Sequence, residues 1–465
     1  MTEIGLIGLG VMGENLARNI ASRGYTVTVY NRSAAKTREF LAKVATERGI
    51  SGVFTLDDFV ATLDRPRKVI LMVKAGHPVD EVLNKLAPKL NPGDMVFDCG
   101  NSHYLDTERR QRKCGEEGLV FMGVGVSGGE EGALKGPAVM IGGSRQAYED
   151  TRGFWEAIAA RAEDEPCAGY MGLHGAGHFV KMVHNGIEYG MLQLVAEAYD
   201  IMTGILDMDV DAVRDVFRDW NAGELGSYLL EIAVDALSIR DDESGRPLVE
   251  LVLDKAEQKG TGKWAVQTAA ELIVPAPSID AALSARYLSA AKDTRLQFAR
   301  VYGDAPAHKP EMPARKILEM LEDGYWCAAV VCYAQGLELI RAASREYGYG
   351  TNLCEVLKVW RGGCIIRARM IQDFIRALQH DENILLDSHI VSEIKRREES
   401  WNTLLSEVKK AGIPTPVMDA SHNYLRALRR PRLPANLIQA LRDRFGAHTF
   451  ERIDKPGRFH HSWRP

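Results

Sequence analysis

The sequence predicts an N-terminal doubly wound α/β sheet, followed by a large all-α domain and an extended C-terminal tail. Three observations carry that prediction. Up to about residue 175, short β-branched runs alternate with helical stretches. From Gly177 onward strand signals fade and long segments of helical periodicity take over. The last stretch, Arg442 to Pro465, is poor in aliphatic residues but holds four aromatics and three histidines, so it cannot build a core of its own and is expected to dock on another surface. The expected boundaries are residues 1–177 for the α/β domain, 178–434 for the helical domain and 435–465 for the tail.

The first strand is the apolar run Ile4-Gly5-Leu6-Ile7. It ends on Gly8-Leu9-Gly10-Val11-Met12-Gly13, and a helix from Glu14 to Arg23 follows. Glycines at this spacing allow a tight turn and close backbone approach to a pyrophosphate held at the helix N-terminus. A second β-rich run, Tyr25 to Tyr30, comes at βαβ spacing and ends on Asn31-Arg32-Ser33. The unit is therefore Rossmann-like and points to a dinucleotide. Where such a site commonly has an acidic residue for the ribose 2′-hydroxyl, this chain has Arg32, whose guanidinium can grip a 2′-phosphate, with Asn31 and Ser33 adding neutral hydrogen bonds. NADP is the expected cofactor. Arg32 also reads as a solvated loop cation, or as a group that stacks on adenine without choosing between cofactors.

Further strands are expected at Val69 to Val73, Met95 to Cys99, Val120 to Val126 and Val139 to Ile141. Helices are expected at Phe179 to Thr203, Val210 to Trp220, Pro313 to Glu346 and Leu353 to Leu378. Val274-Pro-Ala-Pro277 and Gly303-Asp-Ala-Pro306 separate helices without marking a flexible linker. Asn185-Gly-Ile-Glu188 and Gln335-Gly-Leu-Glu338 sit at similar points of long helical segments, each followed by a Trp, Trp220 or Trp360. Such a pattern admits an internal duplication or a chance match.

With 465 residues, 46% hydrophobic and 26% charged, the chain has material for two or three domains. A net charge of −5 argues against a general nucleic-acid or membrane-surface role, so basic clusters read as local anion sites. Seven cysteines form no CxxC pair and no metal-ligand spacing with histidine, and reduced, mostly buried thiols are expected. There is no basic N-terminal region and no long uncharged apolar run, and a cytoplasmic protein is the expectation.

On a helical wheel, Phe179, Val183, Ile187, Gly190 and Leu194 share one face, and Lys181, His184, Asn185 and Glu188 form the opposite stripe. From the wheel alone that stripe faces water. Lys181 and Glu188 are two turns apart, roughly 10 Å along the axis, a spacing suited to a base and an acid at opposite ends of a small substrate. Val126-Ser127-Gly128-Gly129 ends an apolar run, where open backbone N–H groups can form a nest for a carboxylate, although Glu130 and Glu131 follow directly. Leu253 to Trp264 sets glycines around a threonine between Lys259 and Lys263 and suits a phosphate, but lacks the Walker A pattern. Both stretches also read as plain turns. His174 and His178 flank the start of the long helix and read as cap or surface groups.

Together these segments resemble the decarboxylating 6-phosphogluconate dehydrogenase family over essentially the whole chain. The matching stretches are GLGVMGENLA at Gly8, YNRS at Tyr30, MVKAG at Met72, DCGNSHYLDT at Asp98, GVSGGEEGAL at Gly125, FVKMVHNGIEYG at Phe179, LDKAEQKGTGKW at Leu253, GGCIIRA at Gly362 and RDRFGAHTFER at Arg442. The resemblance implies hydride transfer from C3 of 6-phospho-D-gluconate to NADP, loss of CO2, and tautomerisation of an enediol to ribulose 5-phosphate, with no metal. It implies that Lys181 is the general base and Glu188 the acid that protonates C1. The phosphate would lie among Tyr189, Lys259 and Arg286, with Arg442 and His448 reaching in from the tail of a partner subunit in a homodimer. Ser127, Gly128 and Gly129 would hold the carboxylate, and Asn101, His184 and Asn185 the hydroxyls. Cofactor contacts would come from Gly8, Leu9, Gly10, Val11, Met12, Gly13, Asn31, Arg32, Ser33, Val73, Lys74, Ala75 and Asn101.

The chain departs from the family pattern at Gly10, where Ala is frequent, at Met191, where an acidic residue is frequent, and at Glu257, where a small residue is frequent. Its tail ends soon after Trp463. Two rival readings remain: a β-hydroxyacid dehydrogenase acting on an unphosphorylated substrate, which would leave Lys259, Arg286 and Arg442 without an anion, and a catalytically silent NADP-binding redox sensor, against which the joint presence of Lys181 and Glu188 argues.

Overall fold

The computed structural model describes residues 2–257, 260–303 and 309–463. Strand and helix alternate first: β1 (Ile4–Ile7), α1 (Val11–Ser22), β2 (Val27–Tyr30), α2 (Ala34–Lys43), β3 (Ile50–Gly52), α3 (Leu56–Thr62), β4 (Lys68–Leu71), α4 (His77–Leu86), β5 (Met95–Asp98), α5 (Tyr104–Glu116), β6 (Val120–Ser127), α6 (Gly129–Lys135), β7 (Ala138–Gly142) and α7 (Arg145–Ile158). A short ribbon of β8 (Arg161–Ala162) and β9 (Glu165–Pro166) leads into β10 (Ala168–Gly172).

The main sheet has eight strands in the order β10-β7-β6-β5-β4-β1-β2-β3. Pairing is parallel from β3 through β6; β7 runs antiparallel to β6, and β10 is parallel to β7. The reversal at β7 follows from chain length. A parallel return along the eight residues of β6 must cover about 26 Å, whereas the seven residues of α6 span only about 10 Å. β1, β5 and β7 are buried at every position, which explains why they read as continuous apolar runs rather than alternating ones.

Helices make up most of the remainder: α8 (Ala176–Leu206), α9 (Val210–Ala222), α10 (Tyr228–Ser238), α11 (Thr261–Glu271), α12 (Pro277–Ala290), α13 (Lys292–Tyr302), α14 (Ala314–Glu346), α15 (Leu353–Trp360), α16 (Ile371–Ala377), α17 (Ser388–Lys410), α18 (Pro416–Leu428) and α19 (Ala435–Gly446). The expected single helix from Leu353 to Leu378 is instead two, α15 and α16, with a loop between them. The cause is Gly362-Gly363: Gly363 takes φ of 63°, and its carbonyl accepts the Ala138 N–H at 2.8 Å, which pins the loop to β7. α8 and α14, 31 and 33 residues long, pack on each other through the segments that resemble one another in sequence. A Cβ on Gly336 would stand 2.4 Å from Ile187, and one on Gly190 would stand 2.3 Å from the Cys332 sulfur, so glycine sets the close approach of these helices.

The start of α8 packs on the sheet by the same device. Gly177 lies so near the Gly123 carbonyl that a Cβ would stand 2.3 Å from it, and Gly125 would place a Cβ 2.5 Å from that of Lys181. In the tail, β11 (Phe450–Glu451) and β12 (Arg458–Phe459) form a small antiparallel hairpin. Asp443 on α19, fully covered, ties the tail back by accepting from the Thr449 and His461 N–H groups and the Trp463 indole, with the His460 ring nitrogen 2.9 Å away. Among the described residues, no helix is long and apolar enough to cross a membrane. All seven cysteines are free, and all but the half-buried Cys354 are buried.

Candidate active site

Lys181 lies on the second turn of α8, where that helix crosses the C-terminal half of β6. The stripe expected to face water is buried instead: Lys181 is 6% exposed, His184 0% and Asn185 9%. The sheet covers what a surface helix would leave open. Gly123 and Gly125, two apart on β6, face His178 and Lys181, three apart on α8, and leave no room for a side chain between. His178 is accordingly not a surface group but a core residue whose Nδ1 lies 2.6 Å from the Thr107 hydroxyl. His174 is exposed in the turn before α8.

The Lys181 amine donates to Ser127 Oγ at 3.1 Å and to Asn185 Oδ1 at 2.8 Å, and lies 3.4 Å from His184 Nδ1. His184 Nε2 is 3.2 Å from Ser127 Oγ, and its Nδ1 is 3.0 Å from Asn185 Oδ1. Asn185 donates its amide to Thr261 Oγ1 at 2.9 Å. Because Oδ1 of Asn185 only accepts, the network assigns the proton of a neutral His184 to Nδ1 and leaves Nε2 to accept from Ser127. Every polar atom touching the amine is thus uncharged. Glu188 Oε2 stands 3.8 Å from His184 Nδ1 on the next turn.

Burial pushes the Lys181 ammonium below the usual lysine value, against the opposing pull of Glu188 and Cys364. Burial likewise raises the Glu188 carboxyl, opposed by Lys181 and Arg286. His184 is driven well below the ordinary imidazole value by burial and then by the Lys181 charge. A cation made easier to neutralise and an acid made easier to protonate therefore share one helix face.

Ser127, Gly128 and Gly129 close β6. Gly128 and Gly129 take φ of 112° and 61°, conformations that suit glycine, and a Cβ on Gly128 would stand 2.5 Å from the Gly363 carbonyl. Glu130 and Glu131 are exposed, and Glu131 pairs with Lys135 at 2.6 Å, one helical turn away from the Gly128–Gly129 backbone. On the far side of Glu188, the Arg286 guanidinium stacks 3.5 Å above the Tyr189 ring, and its Nη1 donates to the Glu257 carbonyl at 3.0 Å. Glu257 is exposed and Met191 buried. Gly262 lets α11 approach Tyr189, since a Cβ there would stand 2.4 Å from the ring. Lys259 lies outside the described residues. Arg442 and His448 are exposed on the tail; Arg442 donates to Gln439, and His448 packs edge-on to Phe445. No hydrogen bond joins either of them to the Lys181 cluster within this subunit.

A cavity of about 490 Å³ opens at the C-terminal ends of β1, β2 and β4, lined by Gly8, Gly10, Asn31, Arg32, Met72 and Lys74 among others. Its residues fit a dinucleotide. Gly8 takes φ of 107°, with room for nothing larger against the Met72 carbonyl. Gly13 lies too close to the Gly8 carbonyl for a side chain, while the position of Gly10 faces open space. Val11 is 59% exposed at the start of α1, with Leu9 buried and Met12 half-buried beside it. Asn31 Oδ1 accepts the Leu9 N–H at 3.1 Å and so shapes the turn itself. The Arg32 side chain is 90% exposed, and among the described residues its ion partner is Glu81 at 3.7 Å, an arrangement open to an added phosphate. Ser33 and Lys74 are exposed, Val73 and Ala75 half-buried, and Asn101 is exposed on the loop after β5. Among the described residues, no group of three or more His, Cys, Asp or Glu side chains is placed to hold a metal ion.

Three roles escaped the sequence: Thr261, which reads there as part of a phosphate loop, orients Asn185; Trp360, which reads there only as part of an internal duplication or a chance match, stands with its ring edge-on 5.8 Å from that of His184; and the Trp264 ring meets that of His103 at 4.9 Å. Only the Gly-Val-Gly of β6 was a signal available in the chain, marking where α8 comes close.

Two family profiles match the chain: one described as the NAD binding domain of 6-phosphogluconate dehydrogenase, over residues 3–172, and one as the C-terminal domain of 6-phosphogluconate dehydrogenase, over residues 177–463. The decarboxylating 6-phosphogluconate dehydrogenase of Synechococcus elongatus is 47% identical, with 100% of this chain and 99% of the relative covered. The NADP(+)-dependent, decarboxylating enzyme of Bacillus subtilis is 45% identical over 99% of each. The solved structure of Plasmodium falciparum 6-phosphogluconate dehydrogenase, described in apo form and in complex with NADP+ and with 6-phosphogluconate, superposes with a TM-score of 0.96 at 39% identity, covering 99% of this chain and 100% of that one.

Proposed function

The chain belongs to the 6-phosphogluconate dehydrogenase family, and from that premise we propose that it converts 6-phospho-D-gluconate, with NADP as oxidant, to D-ribulose 5-phosphate and CO2. The observation that carries this reading is the Lys181 amine, buried among uncharged partners with Glu188 two turns along the same helix.

The crevice lined by Gly8, Gly10 and Arg32 would hold NADP, which would supply the hydride acceptor. Neutral Lys181 takes the proton of the C3 hydroxyl as the C3 hydride leaves. A lysine at its ordinary pKa near 10.4 would be neutral only about once in 2,500 molecules at pH 7, so the burial is what makes this step accessible. The resulting ammonium faces the new C3 ketone and stabilises the enolate that develops as the carboxylate at C1 departs as CO2. Ser127, Gly128 and Gly129 hold that carboxylate until it leaves. The ammonium gives its proton to the enolate oxygen to form the enediol. Glu188, whose carboxyl burial makes easier to protonate, then delivers a proton to the former C2, now C1 of the product, as Lys181 takes the hydroxyl proton back and the C2 ketone of ribulose 5-phosphate forms. His184 and Asn185 fix the amine and meet the sugar hydroxyls, with Asn101 on the loop after β5.

Tyr189, Lys259 and Arg286 hold the substrate phosphate, and the stacked Arg286 guanidinium favours a phosphorylated over an unphosphorylated substrate. Arg442 and His448 complete that pocket from the tail of a second subunit. What supports exchange of tails is surface: α13 buries no residue and exposes Phe298, Val301 and Tyr302, and α19 exposes Leu437, Ile438 and Phe445. Such apolar faces suit a homodimer. The cytoplasm is the compartment we assign.

The test is a rise in reduced-nicotinamide absorbance with equimolar CO2 release when 6-phosphogluconate and NADP are added. Oxidation without CO2 would support a simple hydroxyacid dehydrogenase, and silence would support a redox sensor.

A further inference from the structure

The loops that leave β4 and β5 carry Val73, Lys74, Ala75 and Asn101, and the two strands are parallel neighbours. No step above uses α5, yet α5 sends one buried side chain between those loops. Arg110 is 1% exposed. On one side its Nη2 donates to the Gly76 carbonyl at 2.9 Å, and its Nε and Nη2 grip both oxygens of Asp80 at 2.9 and 3.1 Å. On the other side its Nη1 lies 3.4 Å from Ser102 Oγ and 3.6 Å from Asp98 Oδ2. Asp98, itself fully buried, accepts the Gly100 N–H at 3.1 Å and the Ser102 hydroxyl at 2.6 Å, which shapes the turn that carries Asn101.

The loops also touch. A Cβ on Gly100 would stand 2.9 Å from the Val73 carbonyl, so neither loop can move toward the other. Arg110 resists the opposite motion, because its bonds to Gly76 and Asp80 belong to one loop and the helix behind it, and its long hydrogen bond to Ser102 and ion-pair contact with Asp98 belong to the other. A planar guanidinium donates in several fixed directions at once; an ammonium on a shorter reach cannot span both sides.

We propose that Arg110 is a positioning residue for the cofactor: it sets the separation of the Lys74–Gly76 loop and the Gly100–Ser102 loop, and so the width of the crevice between Lys74 and Asn101 that receives the nicotinamide half of NADP. The inference rests on the cofactor reading given above. It predicts that loosening the bridge weakens cofactor binding more than substrate binding, because α8, α11 and α12 carry most of the substrate side and only Asn101 among the proposed substrate contacts lies on a bridged loop.

The test uses the full chain with Arg110→Lys and Asp80→Asn, the second keeping the size of the acceptor while removing its charge. NADPH affinity is read by nicotinamide fluorescence, and KM is measured separately for NADP and 6-phosphogluconate. Both variants are expected to raise the NADPH Kd and the NADP KM, by about tenfold for Arg110→Lys as for loss of a charge-assisted hydrogen bond, with a smaller rise in the 6-phosphogluconate KM, transmitted only through Asn101. If Arg110→Lys fails to fold, Asp80→Asn decides. A wild-type NADP KM in Asp80→Asn, or a parallel rise of both KM values with a fall in Tm, overturns the proposal. Wild-type protein that binds no NADPH overturns the cofactor reading beneath it, a result distinguishable from failure of the bridge.

Discussion

Replacing Lys181 by Met removes the amine and keeps an unbranched side chain of similar length. In the mechanism we propose, the chemistry lost is both the general base and the cation that stabilises the enolate. Positioned proton transfer contributes about 10² to 10⁴ in rate, and a preorganised donor at a developing oxyanion about 10² to 10³. Since one group serves both steps, the two losses overlap, and kcat is expected to fall by at least about 10³, or about 4 kcal/mol in activation free energy. Stability should move the other way. Ser127 Oγ keeps His184 Nε2 as a partner and Asn185 Oδ1 keeps His184 Nδ1, so the substitution orphans no buried polar atom. Burial lowers the Lys181 pKa, so in wild type the penalty for holding an ammonium there is fully present below the folded pKa and is relieved as pH rises toward the ordinary lysine value. Lys181→Met should therefore show an equal or higher Tm at neutral pH and a flatter gain of Tm toward alkaline pH. NADPH formation and CO2 release measure the first effect, and thermal unfolding from pH 7 to 10 the second. A variant that keeps activity within tenfold of wild type, or that loses activity only because it unfolds, refutes this account of Lys181.

Arg32→Glu should raise the NADP KM by about 10- to 100-fold, the range for losing a hydrogen bond between charged groups, with Glu81 adding repulsion; steady-state kinetics with NADP and NAD check it, and an NADP KM within twofold would take Arg32 away from the 2′-phosphate. Truncation before Arg442 should abolish CO2 release while NADPH titration shows an intact cofactor domain, and a fully active truncated protein would remove the tail from the site. Glu197, buried on α8, accepts the Val417 and Met418 N–H groups at 2.8 and 3.0 Å, yet burial outweighs these bonds and pushes its carboxyl from 4.5 up to about 7. Between those values the unfolded chain releases a proton that the folded one keeps, so this group's stabilisation falls as pH rises through the window. Glu197→Gln should flatten the dependence of Tm on pH from 5 to 7, and equal slopes in the two proteins would exclude that role.

What the sequence showed of the fold depended on how local each cause is. The turn at Gly8 to Gly13 is set by contacts within one βαβ unit and by the Met72 carbonyl on the neighbouring strand, and glycine spacing reports such geometry directly. The break after Trp360 was missed although Gly362-Gly363 marks it, because apolar periodicity resumes in α16 with almost the same phase. The wheel of α8 gave the right neighbours and the wrong environment: Lys181, His184 and Asn185 do share a stripe, but whether a stripe meets water is decided by β6, more than fifty residues away in sequence. Thr261 and Trp360 act on α8 from still farther along the chain, and Arg110, whose partners are nearer in sequence, carries no motif. A polar residue whose partner lies on another element looks like any other polar residue in the chain.

The same burial acts with opposite sign on the two ends of that stripe. Removing water disfavours a charge of either sign, so it lowers the lysine and raises the glutamate, and a single packing event brings both toward the proton affinity that neutral-pH chemistry needs. The Coulomb attraction between Lys181 and Glu188 works against this by favouring both charged forms. Two turns of helix keep that attraction subordinate. Were Glu188 one turn nearer, in direct contact with the amine, the pair would hold each other ionised, and neither base nor acid would be available. Spacing along α8, as much as residue identity, is therefore what the proposed mechanism requires of a helix face that is to take a proton at one end and return it at the other.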